Sequence, residues 1–134
     1  MIEAENKTSA TEQPKAAALS AVKALYLKQA GDIMMYNVVD NTVIADYYVI
    51  CSARSSTHIK ALADEVCYRL ELEGVKELRV EGRDVGTWVL VDFGSVIVHI
   101  FSKDAREFYK LERLLNEETK EDLSEFLKNL DENN

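Results

Sequence analysis

Two neighbouring apolar runs constrain this chain more than any other feature. They cover residues 87–93 and 95–101, and the short turn D-F-G-S joins them. Gly94 allows the backbone conformation that such a tight turn needs. A short helical pattern follows, and six residues stand out in the block from Glu81 to Glu112: Trp88, Asp92, His99, Arg106, Tyr109 and Glu112. The sequence therefore predicts two long antiparallel strands beside a helix, an arrangement that presents a surface.

The remaining pattern predicts an α/β fold, a mixed β-sheet with flanking helices. A helix begins at Pro14 and ends at Gly31, and strands follow at residues 32–39 and 45–53. The second of these strands contains a run of apolar residues, which predicts burial on both faces. A short strand is expected at residues 78–81.

The strand–helix–strand unit from Tyr47 to Glu81 predicts a right-handed parallel crossover. Ser55 or Ser56 caps its helix, and Gly74 ends it. Apolar residues on this helix recur at the spacing of one buried stripe: Ile59, Leu62, Ala63, Val66 and Leu70.

The chain divides into three parts by composition. Residues 1–13 are predicted to be a disordered lead, residues 14–115 form one domain, and residues 116–134 form an acidic, helical tail. Within the domain, Asp104 is expected to cap a helix that runs through Leu114. A further helical stretch is predicted from Glu117 to Leu130.

Charge is concentrated at the two ends of the chain. The net charge is −8, and residues 116–134 alone hold seven acids and two bases. Residues 14–115 hold fourteen acids and thirteen bases, so they offer no basic footprint for DNA or RNA. No apolar run reaches the roughly 18 residues that a membrane helix needs. The two cysteines fit no zinc pattern, which favours a reducing cytoplasm.

No catalytic, metal or cofactor site is predicted. His58 and His99 are the only histidines, and structural or surface roles are expected for both. The glycines match no phosphate-binding motif, and no strand carries the paired carboxylates that metal-dependent nucleotidyl transfer requires. Ser55 and Ser56 are better explained as helix caps than as nucleophiles.

Two features instead indicate a binding surface. Trp88 shares a strand face with Leu90 and Asp92, and it serves either the core or an interface. Four residues fall at the spacing of one helical face, which is either solvated or a docking ridge: Arg106, Tyr109, Lys110 and Arg113.

The residues in this region resemble the ribosomal silencing factor family, the Iojap-related proteins (RsfS). The similarity runs from the first helix to Leu115. It is carried by Asp32, Ala45 to Ile50, Ser56, His58, Glu81-Gly82, Trp88 to Gly94, Val98 to Phe101, and Arg106 to Glu112. The family's short helix often ends L-E-x-L-W, whereas this chain has Leu115 in place of the aromatic residue.

The resemblance implies a cytoplasmic, noncatalytic factor that binds the large ribosomal subunit. Members dock on the large-subunit ribosomal protein L-fourteen, block joining of the small subunit and repress translation when nutrients are scarce. Organelle relatives act in large-subunit assembly, and homodimers are common in isolation. The implied fold is similar to nucleotidyltransferases without their catalytic carboxylates.

Steric exclusion would explain such a function without any chemistry. The residues expected on the docking face are Trp88, Asp92, Arg106, Tyr109 and Glu112. Two other classes remain open, a nucleotide-handling transferase on a related fold and a homodimeric module with another protein partner.

Overall fold

A computed structural model describes residues 13–42 and 44–133, so the predicted lead lies, apart from Gln13, outside the described residues. The described residues form four α-helices, five strands and two 3-10 turns. In chain order they are α1 (Pro14–Leu27), β1 (Gly31–Asn37), β2 (Tyr47–Ala53), α2 (Ser56–Leu72), β3 (Arg79–Glu81), β4 (Trp88–Asp92), β5 (Val96–Ser102), α3 (Lys103–Tyr109), the 3-10 turns Leu111–Leu114 and Glu117–Thr119, and α4 (Ser124–Glu132).

The five strands form one mixed sheet, which confirms the predicted fold class. Their spatial order is β1-β2-β5-β4-β3. Only β2 and β5 pair in parallel, and the other three pairs are antiparallel. The predicted hairpin is confirmed as β4 and β5, with Gly94 at a φ of 90° in its turn. These pairings make β2 and β3 point the same way, but β5 and β4 lie between them.

Helices α1 and α2 cover one face of the sheet and bury its main core. All five predicted stripe residues of α2 are buried there. They meet Val49, Val91 and Val98 from the sheet, and the alanines of α1 allow that helix to approach closely. Each fully buried Val, Leu or Ile contributes about 1.5–3 kcal/mol, so this face supplies most of the fold's apolar stabilisation.

Two of the predicted helix boundaries are confirmed and one is wrong. The Ser55 hydroxyl accepts a hydrogen bond from the His58 backbone N–H at 3.1 Å, and Gly74 follows α2 with a φ of 84°. Gly31, by contrast, opens β1. Gln29 adopts the left-handed backbone after α1, at a φ of 67°, so the turn completes two residues earlier than predicted.

The helix after β5 is shorter than predicted. Its cap is Ser102, whose hydroxyl accepts a hydrogen bond from the Ala105 N–H at 3.1 Å, and not Asp104. The α-helix ends at Tyr109 because Lys110 turns into the left-handed region, at a φ of 48°. A 3-10 turn, Leu111–Leu114, follows.

The C-terminal segment is also less helical than predicted, since α4 begins only at Ser124. Before it, Lys120 forms an antiparallel bridge with Tyr36, and the Glu121 N–H donates to the Met35 carbonyl at 2.8 Å. Leu123 joins the main core at 9% exposure. The segment therefore covers the free edge of β1, which would otherwise offer unpaired backbone groups. The division of the chain at residue 115 stays a prediction.

Candidate protein-binding site

The second face of the sheet is the candidate site. Side chains alternate along strands, and the register pairs Trp88 with Phe101 and Leu90 with His99. The face therefore carries a contiguous set of residues opposite the α1–α2 layer, here called the open face: Tyr48, Trp88, Leu90, His99 and Phe101. Ala105 of α3, together with Leu111 and Leu115, covers part of it. Leu115, which replaces the family's aromatic residue, thus fills an apolar niche.

Trp88 lies at the centre of this face and packs against its neighbours, while its role in an interface stays a prediction. Its indole N–H donates to Nδ1 of His99 at 3.2 Å, and its ring centroid is 4.8 Å from that of Phe101, which is buried. The Tyr109 ring, half exposed, packs on it at 4.8 Å as well. Because the only polar group of Trp88 is used internally, the indole offers an apolar surface outward.

Phe108 extends this aromatic surface into solvent. Its side chain is 77% exposed, and it meets Tyr109 edge-on with centroids 4.9 Å apart. Trp88, Tyr109 and Phe108 form a continuous row, here called the aromatic ridge. An open cavity of about 310 Å³ lies beside it, lined by Glu81, Gly82, Trp88 and Leu90. Exposed aromatic residues in a row are typical of protein-binding surfaces.

His99 supports the ridge from below. It is 4% exposed, and burial lowers its pKa to about 4, so the ring is neutral at pH 7. Since Nδ1 accepts from Trp88, the proton of the neutral ring is assigned to Nε2. Nε2 is buried without a hydrogen-bond partner among the described residues. The Tyr48 ring covers the imidazole edge-on, with centroids 4.7 Å apart.

Arg106 and Glu112, two of the predicted docking residues, lie behind the ridge. Arg106 is 7% exposed, and its Nε–H lies 3.2 Å from both carboxylate oxygens of Glu112. Its Nη1–H donates to the hydroxyl of buried Ser52 at 2.9 Å. The predicted helical face of four residues does not form, because α3 ends at Tyr109 and Arg113 lies beyond the break at Lys110.

Asp92 lies at the far end of the same strand face. It is four positions from Trp88, a distance of roughly 13 Å along a strand. One carboxylate oxygen accepts from the Gly94 N–H at 2.8 Å, and the other pairs with Nε of Arg79 at 3.1 Å. The structure thus brings Trp88 and Tyr109 into contact, joins Arg106 to Glu112, and places Asp92 apart from all four.

Sequence reasoning missed two members of the site. Phe108 lies between Arg106 and Tyr109, which were both singled out. Its exposure depends on how α3 packs against the sheet, which the sequence does not show. The Trp88–His99 bond could have been found, since an antiparallel register across the turn at Gly94 places residues 88 and 99 on the same face.

Two other features bear on chemistry, possible metal ligands and the thiols. Over residues 13–42 and 44–133, no three His, Cys, Asp or Glu side chains cluster as a metal site would require. Burial raises the pKa of both thiols, Cys51 and Cys67, to about 12, which makes them poor nucleophiles. No helix in the described ranges is long and apolar enough to cross a membrane.

Fold and site together define an α/β domain with an exposed aromatic ridge, which is its candidate protein-binding surface. The family model described as "Ribosomal silencing factor during starvation" matches residues 11–134. The chain therefore belongs to the ribosomal silencing factor family, as its resemblance predicted.

Individual relatives agree with this assignment. Ribosomal silencing factor RsfS of Bacillus subtilis is 39% identical over 87 residues, which cover 65% of this chain and 74% of the relative. A mouse protein named "Mitochondrial assembly of ribosomal large subunit protein 1" is 32% identical over 96 residues, covering 69% of this chain and 42% of its own length. A crystal structure of a Chromobacterium violaceum protein is similar with a TM-score of 0.73 at 31% identity, covering 75% of this chain and 83% of that one.

Proposed function

We propose that this protein is a noncatalytic silencing factor that binds the large ribosomal subunit through ribosomal protein L-fourteen. Bound there, it blocks joining of the small subunit by its volume and represses translation under nutrient limitation. The observation that carries the proposal is the exposed aromatic ridge on a chain of this family. A cytoplasmic location and the absence of DNA and membrane partners belong to the same proposal.

The proposed docking face runs from Phe108 and Tyr109 through Trp88 to Asp92. Trp88 on the sheet and Tyr109 packed against it lose little conformational entropy when a partner covers them, so they suit binding hot spots. An interface of ordinary size, about 1,200–2,000 Å² in total, is sufficient for stable binding and needs no reaction. Arg106 and Glu112 are mostly withdrawn from this face, which limits what they can contribute by direct contact.

Cosedimentation with purified large subunits tests the proposal. We expect the wild type to pellet with the subunits and the double variant Trp88→Ala, Tyr109→Ala to stay in the supernatant. Tyr68→Ala is the matched control, because Tyr68 is 61% exposed on α2, against the opposite face of the sheet. A wild type that does not bind would overturn the function, and binding that survives the double substitution would move the site.

Two further assays refine the partner and the mechanism. A pull-down with free L-fourteen separates this partner from another subunit component. Addition of small subunits to the loaded large subunits tests for a block to joining. A thermal-shift scan with nucleotides and magnesium tests the alternative of a nucleotide-handling transferase, because a specific ligand would stabilise the folded protein.

A role in subunit assembly is the second candidate, and the name of the mouse relative favours it. Loss of an assembly factor leaves immature large subunits in growing cells, whereas loss of a silencing factor affects translation chiefly during starvation. Sucrose-gradient profiles of depleted cells in both conditions distinguish the two roles.

We also propose that the protein forms a homodimer in isolation. An apolar ridge exposed on a free chain is a surface that a second copy could cover. Sedimentation velocity of the wild type and of the Trp88→Ala, Tyr109→Ala variant tests this, and a wild type that remains a monomer at high concentration would rule the dimer out.

A further inference from the structure

Arg106 is the one arginine among the buried polar residues of the described structure, and its contacts join three elements. Its guanidinium reaches Ser52 on β2 through Nη1 at 2.9 Å and Glu112 on the 3-10 turn through Nε at 3.2 Å. The arginine itself belongs to α3. One buried cation therefore ties the sheet to both sides of the break that ends α3.

That break is a point where the backbone needs support. Lys110 adopts a φ of 48°, a left-handed conformation that costs a non-glycine residue free energy. The Lys110 N–H donates to the Arg106 carbonyl at 3.0 Å. The Arg106–Glu112 ion pair joins side chains across the same break. The direction in which α3 ends is thus fixed by Arg106 from two sides.

The end of α3 carries the exposed half of the aromatic ridge. Phe108 and Tyr109 follow Arg106 by two and three positions, so they move with the helix that Arg106 anchors. In this orientation of α3, the Tyr109 ring packs on Trp88 with ring centroids 4.8 Å apart. A small rotation of a seven-residue helix would separate the two rings.

We propose that Ser52, Arg106 and Glu112 form a positioning group that holds the aromatic ridge in its docking conformation without touching the partner. The inference rests on the proposed function, and it replaces direct contact by Arg106 and Glu112 with an effect through Tyr109. Burial favours this assignment, because the Arg106 side chain is only 8% exposed and its buried charge is already compensated by Glu112.

The rival explanation is direct binding through the cleft beside α3. This cleft has a volume of about 340 Å³ and is lined by both basic and acidic residues: Asp32, Met34, Arg106, Glu107, Lys110, Glu112 and Arg113. A partner that entered it would reach Arg106 from the side, and its affinity would depend on Glu112 whether or not Tyr109 was present.

A double-mutant cycle separates the two explanations. The variants are Glu112→Gln and Tyr109→Ala, alone and combined, and Ser52→Ala serves as a milder second probe that keeps the ion pair. Asp104→Asn is the matched control, because Asp104 is exposed on the same helix and does not line the cleft beside α3. The thermal midpoint of each variant shows that it is folded before binding is measured.

Trp88 provides a readout that does not require the ribosome. It is the only tryptophan in the chain, and its ring contacts Tyr109, so its fluorescence and near-ultraviolet circular dichroism report the orientation of α3. We expect Glu112→Gln and, more weakly, Ser52→Ala to change the Trp88 spectrum of the free, folded protein. Asp104→Asn should leave it unchanged.

For binding to large subunits, we expect Glu112→Gln to weaken affinity about tenfold in the Tyr109 background and hardly at all in the Tyr109→Ala background. Equal losses in both backgrounds with an unchanged Trp88 spectrum would overturn the proposal in favour of direct contact. No loss in either background would overturn it too. If the wild type does not bind subunits, the proposed function fails, and the Trp88 spectrum alone then decides whether the positioning group exists.

Discussion

The indole N–H of Trp88 donates to Nδ1 of His99 across the β4–β5 hairpin, at 3.2 Å. This bond fixes the tautomer of a buried histidine and the rotation of the central aromatic residue of the binding face at the same time. Its strength depends on a neutral imidazole, because a protonated Nδ1 cannot accept a hydrogen bond.

The first prediction is that protonation of His99 lowers the free energy of unfolding in mild acid. Burial lowers the pKa of His99 to about 4 from its ordinary 6.5. The unfolded chain therefore binds the proton first, and stability that is fully present above pH 6.5 declines as the pH falls towards 4. This pKa shift corresponds to a loss of at most about 3 kcal/mol in the free energy of unfolding.

Urea denaturation between pH 7 and pH 4.5 measures this effect. His99→Gln keeps an acceptor for Trp88 but does not titrate, so its free energy of unfolding should decline less than that of the wild type. His58→Gln, at the only other histidine, is the control. Parallel curves for wild type and His99→Gln would contradict the prediction.

The second prediction concerns the C-terminal segment, which contributes to the core. Leu123 is 9% exposed and packs with the residues under β1, so Leu123→Ala should lower the free energy of unfolding by about 2–3 kcal/mol. Leu114→Ala removes the same atoms from a side chain that is 75% exposed and should change stability by less than about 0.5 kcal/mol. Equal effects would show that the segment does not pack as described.

The third prediction follows from the backbone next to Trp88. A methyl group at Gly82 would lie 2.1 Å from the Trp88 carbonyl oxygen, and Gly82 also has a φ of +85°. Gly82→Ala should therefore destabilise the fold by at least about 2 kcal/mol and disturb the ridge. Gly31→Ala is the control, since its added carbon would make only ordinary contact at 3.8 Å. Thermal unfolding of both variants decides, and similar midpoints would contradict the prediction.

The parts of the fold that follow a strong period were predictable from sequence. The buried stripe of α2 and the β4–β5 hairpin are examples, because many residues repeat the same signal. The end of α3 was not, because Lys110 enters the left-handed region without the glycine that normally marks such a position. Tertiary contacts through Arg106 and Glu112 support that conformation, and no local sequence pattern indicates these contacts.

The same limit applies to the candidate site. Trp88 and Tyr109 were chosen for their residue types, and the structure brings them together. Arg106 was chosen for a helical face that the break at Lys110 removes, and Glu112 was chosen as a polar residue of the same segment. By its spacing along one helix, Arg106 looks solvated. That spacing cannot show that its side chain turns inward to Ser52, which lies on a strand 54 positions away.

The last prediction concerns the acidity of residues 116–134, which we expect to discourage nonspecific contact with ribosomal RNA. The polyanionic backbone repels exposed carboxylates, and salt screens this repulsion within about 10 Å at 0.1 M. Deletion of residues 116–134 should increase RNA retention at low salt. It would also remove Leu123 from the core, however, so the deletion cannot separate charge from folding.

A charge-neutral variant makes that separation. Glu118, Glu125 and Glu132 are exposed, so their replacement by Gln removes three charges and leaves the apolar contacts of α4 intact. We expect this triple variant to keep the wild-type thermal midpoint and to be retained more strongly on an RNA column at low salt, with the difference vanishing as salt rises. Lys128→Gln, which makes the segment more acidic, should have the opposite effect. Unchanged retention of the triple variant at low salt would refute the electrostatic role of the segment.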